Sequence, residues 1–355
     1  MNTNTRESLR PLGVVGCLTA GFDLVGRYPW LISLPVLLDL FLWLGPRLSI
    51  APLLNRFIDL LQVQSIPDAA MTSQIAEVGQ FLRQFGEQFN LLSLLSSLPL
   101  LDVPSLLARH APEGVSPLGE PHVLVVTSVL MMIVWAVALA LVGLVFGFLY
   151  LNGLANRVRD THLPAKQGPA QGSKAKEPEQ TVEARSGMWK FVRVFLFAAG
   201  LLVAGMVTIP PLVLAVGIVE TIAPGTGFWL LMFSMGLIVY LAMQLLFVIP
   251  GVMVGERGLW RATWESIGLI RMQSFPVMGL IVLVMIIHGG LTYIWLLPSA
   301  DSWTLLIGIV GHSCIATGLM AAGFVFYQER VGQLTEAIRV AAKSGVKNGK
   351  ERPSS

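Results

Sequence analysis

The sequence is poor in charge and in cysteine, and both shortages limit what the protein can be. Of its 355 residues, 13% are charged and 54% are hydrophobic, and the mean hydropathy is +0.70. Soluble folds do not carry so little charge, so the composition is typical of a membrane protein. The two cysteines, Cys17 and Cys314, offer neither a disulfide framework nor a cysteine-based metal site.

The sequence also lacks the catalytic motifs HExxH and GxSxG, which favours a non-enzymatic protein without a cofactor. Nucleic-acid binding is not expected either. The one long polar run, residues 165–187, interleaves its lysines with glutamates and contains no aromatic residue, a composition typical of a disordered linker.

Six apolar runs are long enough to cross a bilayer as helices, since a crossing takes about 20 residues. They cover residues 30–48, 123–151, 191–222, 228–254, 275–297 and 303–327. The third run contains Pro210 and Pro211, where we expect a kink or a break. The predicted fold is therefore all-α, a polytopic membrane protein with six transmembrane helices, amphipathic interfacial helices and a helical outer loop.

Lysine and arginine predict the orientation. If the amino terminus is cytoplasmic, the segments expected inside hold 20 of the 24 basic residues, and the positive-inside rule then places both termini in the cytoplasm of a plasma-membrane protein. The segments follow in order: a cytoplasmic interfacial helix (1–29), the first span (30–48), an extracytoplasmic helical loop (49–121), the second span (122–151), a disordered cytoplasmic linker (152–190), spans three to six with an interfacial helix at 256–273 (191–328), and a basic cytoplasmic tail (329–355).

Two segments, 12–26 and 256–273, have the spacing of helices that lie on a membrane surface. Their predicted apolar stripes are Leu12, Val15, Leu18, Phe22 and Val25, and Trp260, Trp264, Ile267 and Ile270. Four arginines are the predicted contacts with anionic headgroups: Arg27, Arg257, Arg261 and Arg271. The alternative is that both stripes pack on the cytoplasmic ends of the helix bundle, because the same pattern serves either arrangement.

The outer loop carries a helical pattern of its own. Apolar residues recur there at spacings of three and four: Ile75, Val78, Leu82, Phe85, Phe89 and Leu92. This spacing predicts an amphipathic helix, and the preceding LLNRFIDLLQV indicates another.

The stretch 247–283, FVIPGVMVGERGLWRATWESIGLIRMQSFPVMGLIVL, combines a helix end, a Gly-Glu-Arg-Gly turn, a surface helix and a new span. In this arrangement the chain resembles the membrane domain attached to some glycerophosphodiester phosphodiesterases, and related six-helix bacterial membrane proteins of uncharacterised function. The resemblance implies a fold and a lipid-rich setting. It implies no catalytic residue, because the chemistry of that family belongs to a separate soluble barrel, which this chain has no room for outside its spans.

Four polar residues inside the predicted spans are candidate functional residues: Asp39, Gln244, His288 and His312. Ionisable groups in a bilayer are costly and normally face other helices or water. One hypothesis joins Asp39 with the two histidines, which lie at equal depth, into a site that binds a metal ion or passes protons. The favoured alternative is that each side chain finds a neutral hydrogen-bond partner and holds helices together, or that Asp39 extends towards Arg47.

Small residues on the last span predict close helix packing: Ser313, Thr317 and Ala321 at one spacing of four, and Gly318 and Ala322 at another. Taken together, the patterns favour a carrier or permease-like protein, or an envelope scaffold, with membrane lipids and unidentified protein partners. The alternative function is an intramembrane metal-dependent enzyme or a proton-coupled transporter that uses Asp39, His288 and His312.

Overall fold

The computed structural model of this chain describes residues 12–63, 69–96, 101, 103–110, 115–162 and 179–350. It is 79% helical, which confirms the all-α prediction. Within these described ranges, five helices are long and apolar enough to cross a membrane, and a bent helix pair near the amino terminus brings the number to six if the pair is counted as one span.

The bent pair replaces the first predicted span. Helix α1 (Val14–Arg27) and a segment that begins at Pro29 meet at 94°. That segment comprises a 3-10 turn (Pro29–Ile32) and helix α2 (Ser33–Leu44). The predicted helix at 30–48 is therefore wrong in extent, because the helical segment ends at Leu44 and residues 47–49 form a strand.

The predicted outer loop is helical, with an addition that the sequence did not indicate. It contains helices α3 (Ala51–Val63) and α4 (Ala69–Gln88) and a 3-10 turn (Leu91–Leu95). Strands β1 (Arg47–Ser49) and β2 (Val123–Val125) border it, so the ends of the first and second predicted spans next to the loop are strand and not helix. The two strands pair in parallel, with Arg47 opposite Val123 and Ser49 opposite Val125. They join the start of the loop to its end.

The predicted apolar stripe of the outer loop coincides only in part with the face of α4 that packs. Helix α4 ends at Gln88, and Val78 and Phe85 are exposed. Instead α4 turns Gly86 towards α3, where an added Cβ would lie 2.9 Å from a methyl carbon of Leu54. The face without large side chains allows the closer helix approach, so it forms the contact.

The remaining helices are α5 (Val129–His162), α6 (Glu179–Ile222), α7 (Thr226–Gln244), α8 (Val248–Met253), α9 (Leu259–Met272), α10 (Ser274–Trp295) and α11 (Leu305–Lys350). Helix α6 continues through Pro210 and Pro211. Residues 163–178 of the predicted linker lie outside the described residues. The rest of that linker is helical, as the ends of α5 and α6, and α11 extends through most of the predicted tail.

The chain divides into two compact units. The first comprises residues 1–27, 152–284 and 318–355. Within it, α1 crosses α11 so closely that a Cβ on Gly21 would lie 2.5 Å from the carbonyl oxygen of Gly318. Phe247, between α7 and α8, stacks on Phe326 and Tyr327 of α11, with ring centroids 5.7 and 6.1 Å apart.

The second unit comprises residues 28–151 and 285–317. Here the indole nitrogen of Trp43 donates a hydrogen bond to the carbonyl oxygen of Ala300 at 2.8 Å, and the Trp43 ring lies edge-on to Trp303. The Tyr150 hydroxyl donates to the hydroxyl oxygen of Thr317 at 2.9 Å. These contacts tie α2 and α5 to the carboxy-terminal part of the unit.

Candidate functional site

Asp39 is fully buried on α2, and its carboxylate caps a turn of the outer loop. It accepts hydrogen bonds from the Ser105 hydroxyl, from the backbone N–H of Leu106 at 2.9 Å and from that of Leu107 at 3.0 Å. The neutral partners that we expected for Asp39 therefore exist, but they lie on a loop instead of a helix. The predicted extension towards Arg47 is wrong, because these three donors hold both carboxylate oxygens.

Ser105 links the Asp39 carboxylate to the next residues of the loop. Its hydroxyl donates to Asp39 and also accepts from the backbone N–H of Ala108 at 3.0 Å. Asp39 and Ser105 together fix the turn from which Arg109 and His110 project, and both of these side chains are exposed.

Asn90 restrains the facing segment. Its side-chain oxygen accepts from the backbone N–H of Leu48 at 3.0 Å and from that of Leu92 at 3.1 Å. The first bond attaches the segment to β1, and the second caps the 3-10 turn at Leu91–Leu95. Asn90 therefore holds the end of α4 in register with the small sheet.

A cavity of about 380 Å³ lies between these two restrained segments. This volume is in the range of small-molecule sites. The lining consists of Phe85, Gln88, Phe89, Asn90, Ser93, Leu107, Ala108, Arg109 and His110. Phe85 and Phe89 stack with centroids 5.0 Å apart and give the cavity an apolar side.

The other side of the cavity is polar and basic. It presents the Arg109 guanidinium, the His110 imidazole and the side chains of Gln88 and Ser93. None of the nine lining residues that the structure describes is a carboxylate. An arginine can form a bidentate pair with a carboxylate or a phosphate.

His288 on α10 and His312 on α11 face each other, with ring centroids 5.2 Å apart. His312 is 4% exposed, and its Nε2 has no hydrogen-bond partner among the described residues. Arg109 and His110 are within electrostatic range of His312, which places the pair near the cavity. The structure thus brings two members of the proposed triad together.

Asp39, the third member, is engaged by the loop. In the part of the chain that the structure describes, no three His, Cys, Asp or Glu side chains are grouped so that they could hold a metal ion. The metal-dependent hypothesis therefore has no three-ligand site among these residues.

Gln244 belongs to the other unit. It is 7% exposed at the end of α7, where its carbonyl oxygen accepts from the Ser266 hydroxyl at 2.7 Å and its side-chain Oε1 has no hydrogen-bond partner. The Ser266 hydroxyl also accepts from the N–H of Phe247 at 3.2 Å. Gln244 therefore lies at the joint between α7 and α9.

The predicted apolar stripe of α9 is split in the structure. Ile270 is buried, but Trp260 and Trp264 are 76% and 57% exposed. The buried face instead uses the small side chains of Ala262 and Ser266, because these allow α9 to approach α7 and α8 closely. The tryptophans consequently lie on the opposite side of the helix.

The four predicted surface arginines have different surroundings. Arg257 and Arg261 share the carboxylate of Glu265, at 3.5 and 2.9 Å. Arg27 and Arg271 end α1 and α9 and are exposed. Their contact with lipid headgroups stays a prediction.

Several site residues had no signal that singled them out in the sequence. Asn90 before LLSLL is a good capping residue, and Ser105 after Pro104 favours a turn. Neither pattern predicts the partner that is distant in sequence, which is Leu48 for Asn90 and Asp39 for Ser105. Arg109 and His110 read as ordinary loop residues.

Comparisons with known proteins find no match for this chain, whether with protein-family models, with curated proteins or with solved structures.

Proposed function

We propose that this protein is a carrier-type, non-enzymatic membrane protein that captures a small amphiphilic anion in the cavity of its second unit. The observation that carries the proposal is the pairing of an aromatic side, Phe85 and Phe89, with a polar side that presents the Arg109 guanidinium and the His110 imidazole, in one cavity of about 380 Å³. Such a lining recognises a carboxylate or phosphate group attached to an apolar chain.

The restraints around the cavity support a binding role. Asp39 and Asn90 hold the two walls through five hydrogen bonds to backbone and hydroxyl donors. Binding to a preformed site avoids the entropic cost of ordering a loop, which raises affinity. The buried hydrogen bonds of Asp39 and Ser105 hold the exposed turn that carries Arg109 and His110, as a preformed site requires.

The setting of the site follows from the sequence. The distribution of basic residues places the loop at 49–121 outside the plasma membrane, with both termini in the cytoplasm. The resemblance to the membrane domain of glycerophosphodiester phosphodiesterases favours a lipid-rich setting and a lipid-derived ligand. A scaffold role is the alternative if the cavity binds no anion.

A binding experiment with simple amphiphiles tests this proposal. Hexyl phosphate and hexanoate are titrated into the purified full chain in a non-ionic detergent, with hexanol as the neutral probe of the same chain length. Both anions should bind, and Arg109→Gln should weaken binding about tenfold, since a hydrogen bond to a charged group is worth roughly 1.5–3 kcal/mol.

Arg83→Gln is the matched control, because Arg83 lies on α4 of the same loop and does not line the cavity. Equal affinity for hexanol, or an equal loss in Arg83→Gln, would show that the cavity does not recognise the anion. Either result would favour the scaffold role.

The facing imidazoles of His288 and His312 favour one second candidate, a proton-coupled carrier. Histidines at 5.2 Å can exchange a proton directly or through one water, and buried ionisable residues in spans often form such relays. In proteoliposomes with a trapped pH dye, hexyl phosphate should stimulate proton entry, and His288→Gln should abolish the stimulation while leaving hexyl phosphate binding intact. Unchanged proton entry in His288→Gln would rule out the coupled mechanism.

A further inference from the structure

Three basic side chains of the first unit converge on Glu256, in the turn between α8 and α9. The Glu256 carboxylate accepts from Arg159 Nη1 at 2.7 Å and from Lys190 Nζ at 2.9 Å. Arg193 Nη1 donates to the carbonyl oxygens of Glu256 at 3.4 Å and of Arg257 at 3.1 Å. The cations come from α5 and from the start of α6, so this turn gathers positive charge from two long helices.

The described side chains at this turn carry more positive than negative charge. Arg159 and Lys190 share the single carboxylate of Glu256, Arg193 is held by backbone carbonyl oxygens, and Lys190 is only 6% exposed. Beside them, Arg257 and Arg261 share the single carboxylate of Glu265. Burying a positive charge costs free energy unless a negative charge pairs with it. Because the cations here outnumber the described carboxylates, the cluster is complementary to an external anion.

The backbone of Glu256 is unusual. Its φ of 52° lies in the left-handed region, and it is the one non-glycine residue with positive φ in the described ranges. A side chain other than glycine is strained in this conformation, and such strain is concentrated at ligand clamps and switch regions. Here the strained conformation aims both the carboxylate and the carbonyl oxygen of Glu256 at the cations.

Exposed aromatic residues flank the cluster. Trp189 directly precedes Lys190, and Trp260 and Trp264 of α9 lie edge-on to each other at 5.9 Å, all three more than half exposed. Tryptophan is enriched at the level of lipid headgroups, where one side of the ring is apolar and the other is hydrated. The surroundings therefore suit a cation cluster at the membrane surface.

We infer that Arg159, Lys190 and Arg193 form a binding site for a phosphate group, in which the Glu256 carboxylate competes with the ligand for Arg159 and Lys190. A phosphate offers more acceptor oxygens than a carboxylate and pairs well with the two guanidinium groups. Both a phospholipid headgroup and a free phosphate ion carry this chemistry. The site uses residues unrelated to the cavity of the second unit, so it does not rest on the proposed function.

The test titrates three probes into the full chain in non-ionic detergent: dihexanoyl phosphatidylglycerol, dihexanoylglycerol, which lacks the phosphate, and inorganic phosphate. Phosphate-dependent binding should weaken about fivefold in Arg159→Gln and in Arg193→Gln, the effect of one basic residue at a membrane surface. It should strengthen in Glu256→Gln, because the competing carboxylate is removed. The background of each titration is Arg109→Gln, which suppresses binding in the cavity of the second unit.

Arg83→Gln is the matched control, since it removes the same charge from an exposed position on α4 of the second unit. Tighter binding of the phospholipid than of phosphate assigns the site to a headgroup, and the reverse assigns it to a free ion. The inference is overturned if neither phosphate probe binds, if dihexanoylglycerol binds equally well, or if Arg83→Gln loses as much as Arg193→Gln. Weaker binding in Glu256→Gln would overturn the competition.

Discussion

Helix α11 is mostly buried and the hairpin of α6 and α7 is mostly exposed, although both are apolar enough to cross a membrane. The most apolar 18-residue stretch of α11 has a mean hydropathy of 1.8 and is 61% buried. The corresponding stretch of α6 reaches 2.3 and has no buried residue, and that of α7 with α8 reaches 2.2 with 22% buried. Helix α11 therefore has the lower mean hydropathy but is the more deeply buried of these helices.

Residue size explains this difference. Ser313, Thr317, Ala321 and Ala322 of α11 are buried, whereas no residue of α6 from 201 to 222 is buried and large side chains such as Leu214 and Phe233 are exposed. Inside a bilayer, lipid is as apolar as leucine, so hydrophobicity does not draw helices together. Close packing between small residues does, and the comparison teaches that small residues identify the core helix better than hydropathy does.

The largest expected effect comes from filling the closest approach on α11. Gly21→Ala should destabilise the protein by about 1–3 kcal/mol, because the new Cβ would lie 2.5 Å from the Gly318 carbonyl oxygen and 2.6 Å from the Ala322 nitrogen, both rigid backbone atoms. Unfolding by SDS in mixed micelles measures the change.

Gly26→Ala on the same helix is the control, since nothing lies within 4 Å of the Cβ that it adds. It should be neutral or stabilising, because alanine favours a helix over glycine. Equal stability of the two variants would mean that α1 and α11 do not pack this closely.

A pair of leucine truncations compares the two regions directly. Leu319→Ala on α11, where Leu319 is 4% exposed, should reduce the free energy of unfolding by about 1–2 kcal/mol. This is less than for a leucine in the core of a soluble protein, because lipid is as apolar as the protein interior and only packing is lost. Leu214→Ala on α6, which is 66% exposed, should change stability by less than about 0.5 kcal/mol. The same unfolding assay applies, and a comparable loss at Leu214 would show that α6 has a protein partner on that face.

Sequence patterns predicted part of this fold and of its candidate site. The small residues from Ser313 to Ala322 were correctly placed in the packing face, because their spacing is local to one helix. The packing face of α4 was predicted only in part, because Gly79 and Gly86 supply its closest contacts with α3, and the membrane-facing stripe of α9 stays a prediction. The partners of Asp39 and Asn90 could not be predicted, because Leu106 and Leu48 are distant in sequence and their contribution is a backbone N–H, which every residue except proline has.

Ion pairs between Glu256 and the basic residues Arg159 and Lys190 stabilise the start of α6. We therefore expect the mobility of this end of the hairpin to depend on pH, and that of α11 not to. Hydrogen bonding from Lys190, together with the charges of Lys190 and Arg159, keeps the pKa of the Glu256 carboxyl below its ordinary value of 4.5, although partial burial opposes this. The folded state therefore binds this proton more weakly than the unfolded state. The stabilisation is fully present above the ordinary pKa and is lost as the pH falls through the lowered one.

A spin label at the exposed Met188 should gain mobility on acidification below the ordinary pKa of Glu256, while a label at Val310 on α11 should not. The effect should be small, because the Glu256 side chain is 53% exposed and water screens its ion pairs. In Glu256→Gln the Met188 label should show no transition in this pH range. A transition of the same size in that variant would assign the response to another group.

The smallest expected effects separate two buried hydroxyl groups on α11. Thr317→Val removes the acceptor of the Tyr150 hydroxyl, at 2.9 Å, and should cost about 0.6 kcal/mol, the average for such bonds in membrane proteins. Ser313→Ala should be neutral or stabilising, because the Ser313 hydroxyl is fully buried without a hydrogen-bond partner. Both are measured by unfolding in mixed micelles, with Tyr150→Phe completing a double-mutant cycle for the first pair. If Ser313→Ala costs as much as Thr317→Val, the Ser313 hydroxyl has a partner in the membrane, and polar contacts contribute more to the packing of α11 than its small residues alone would require.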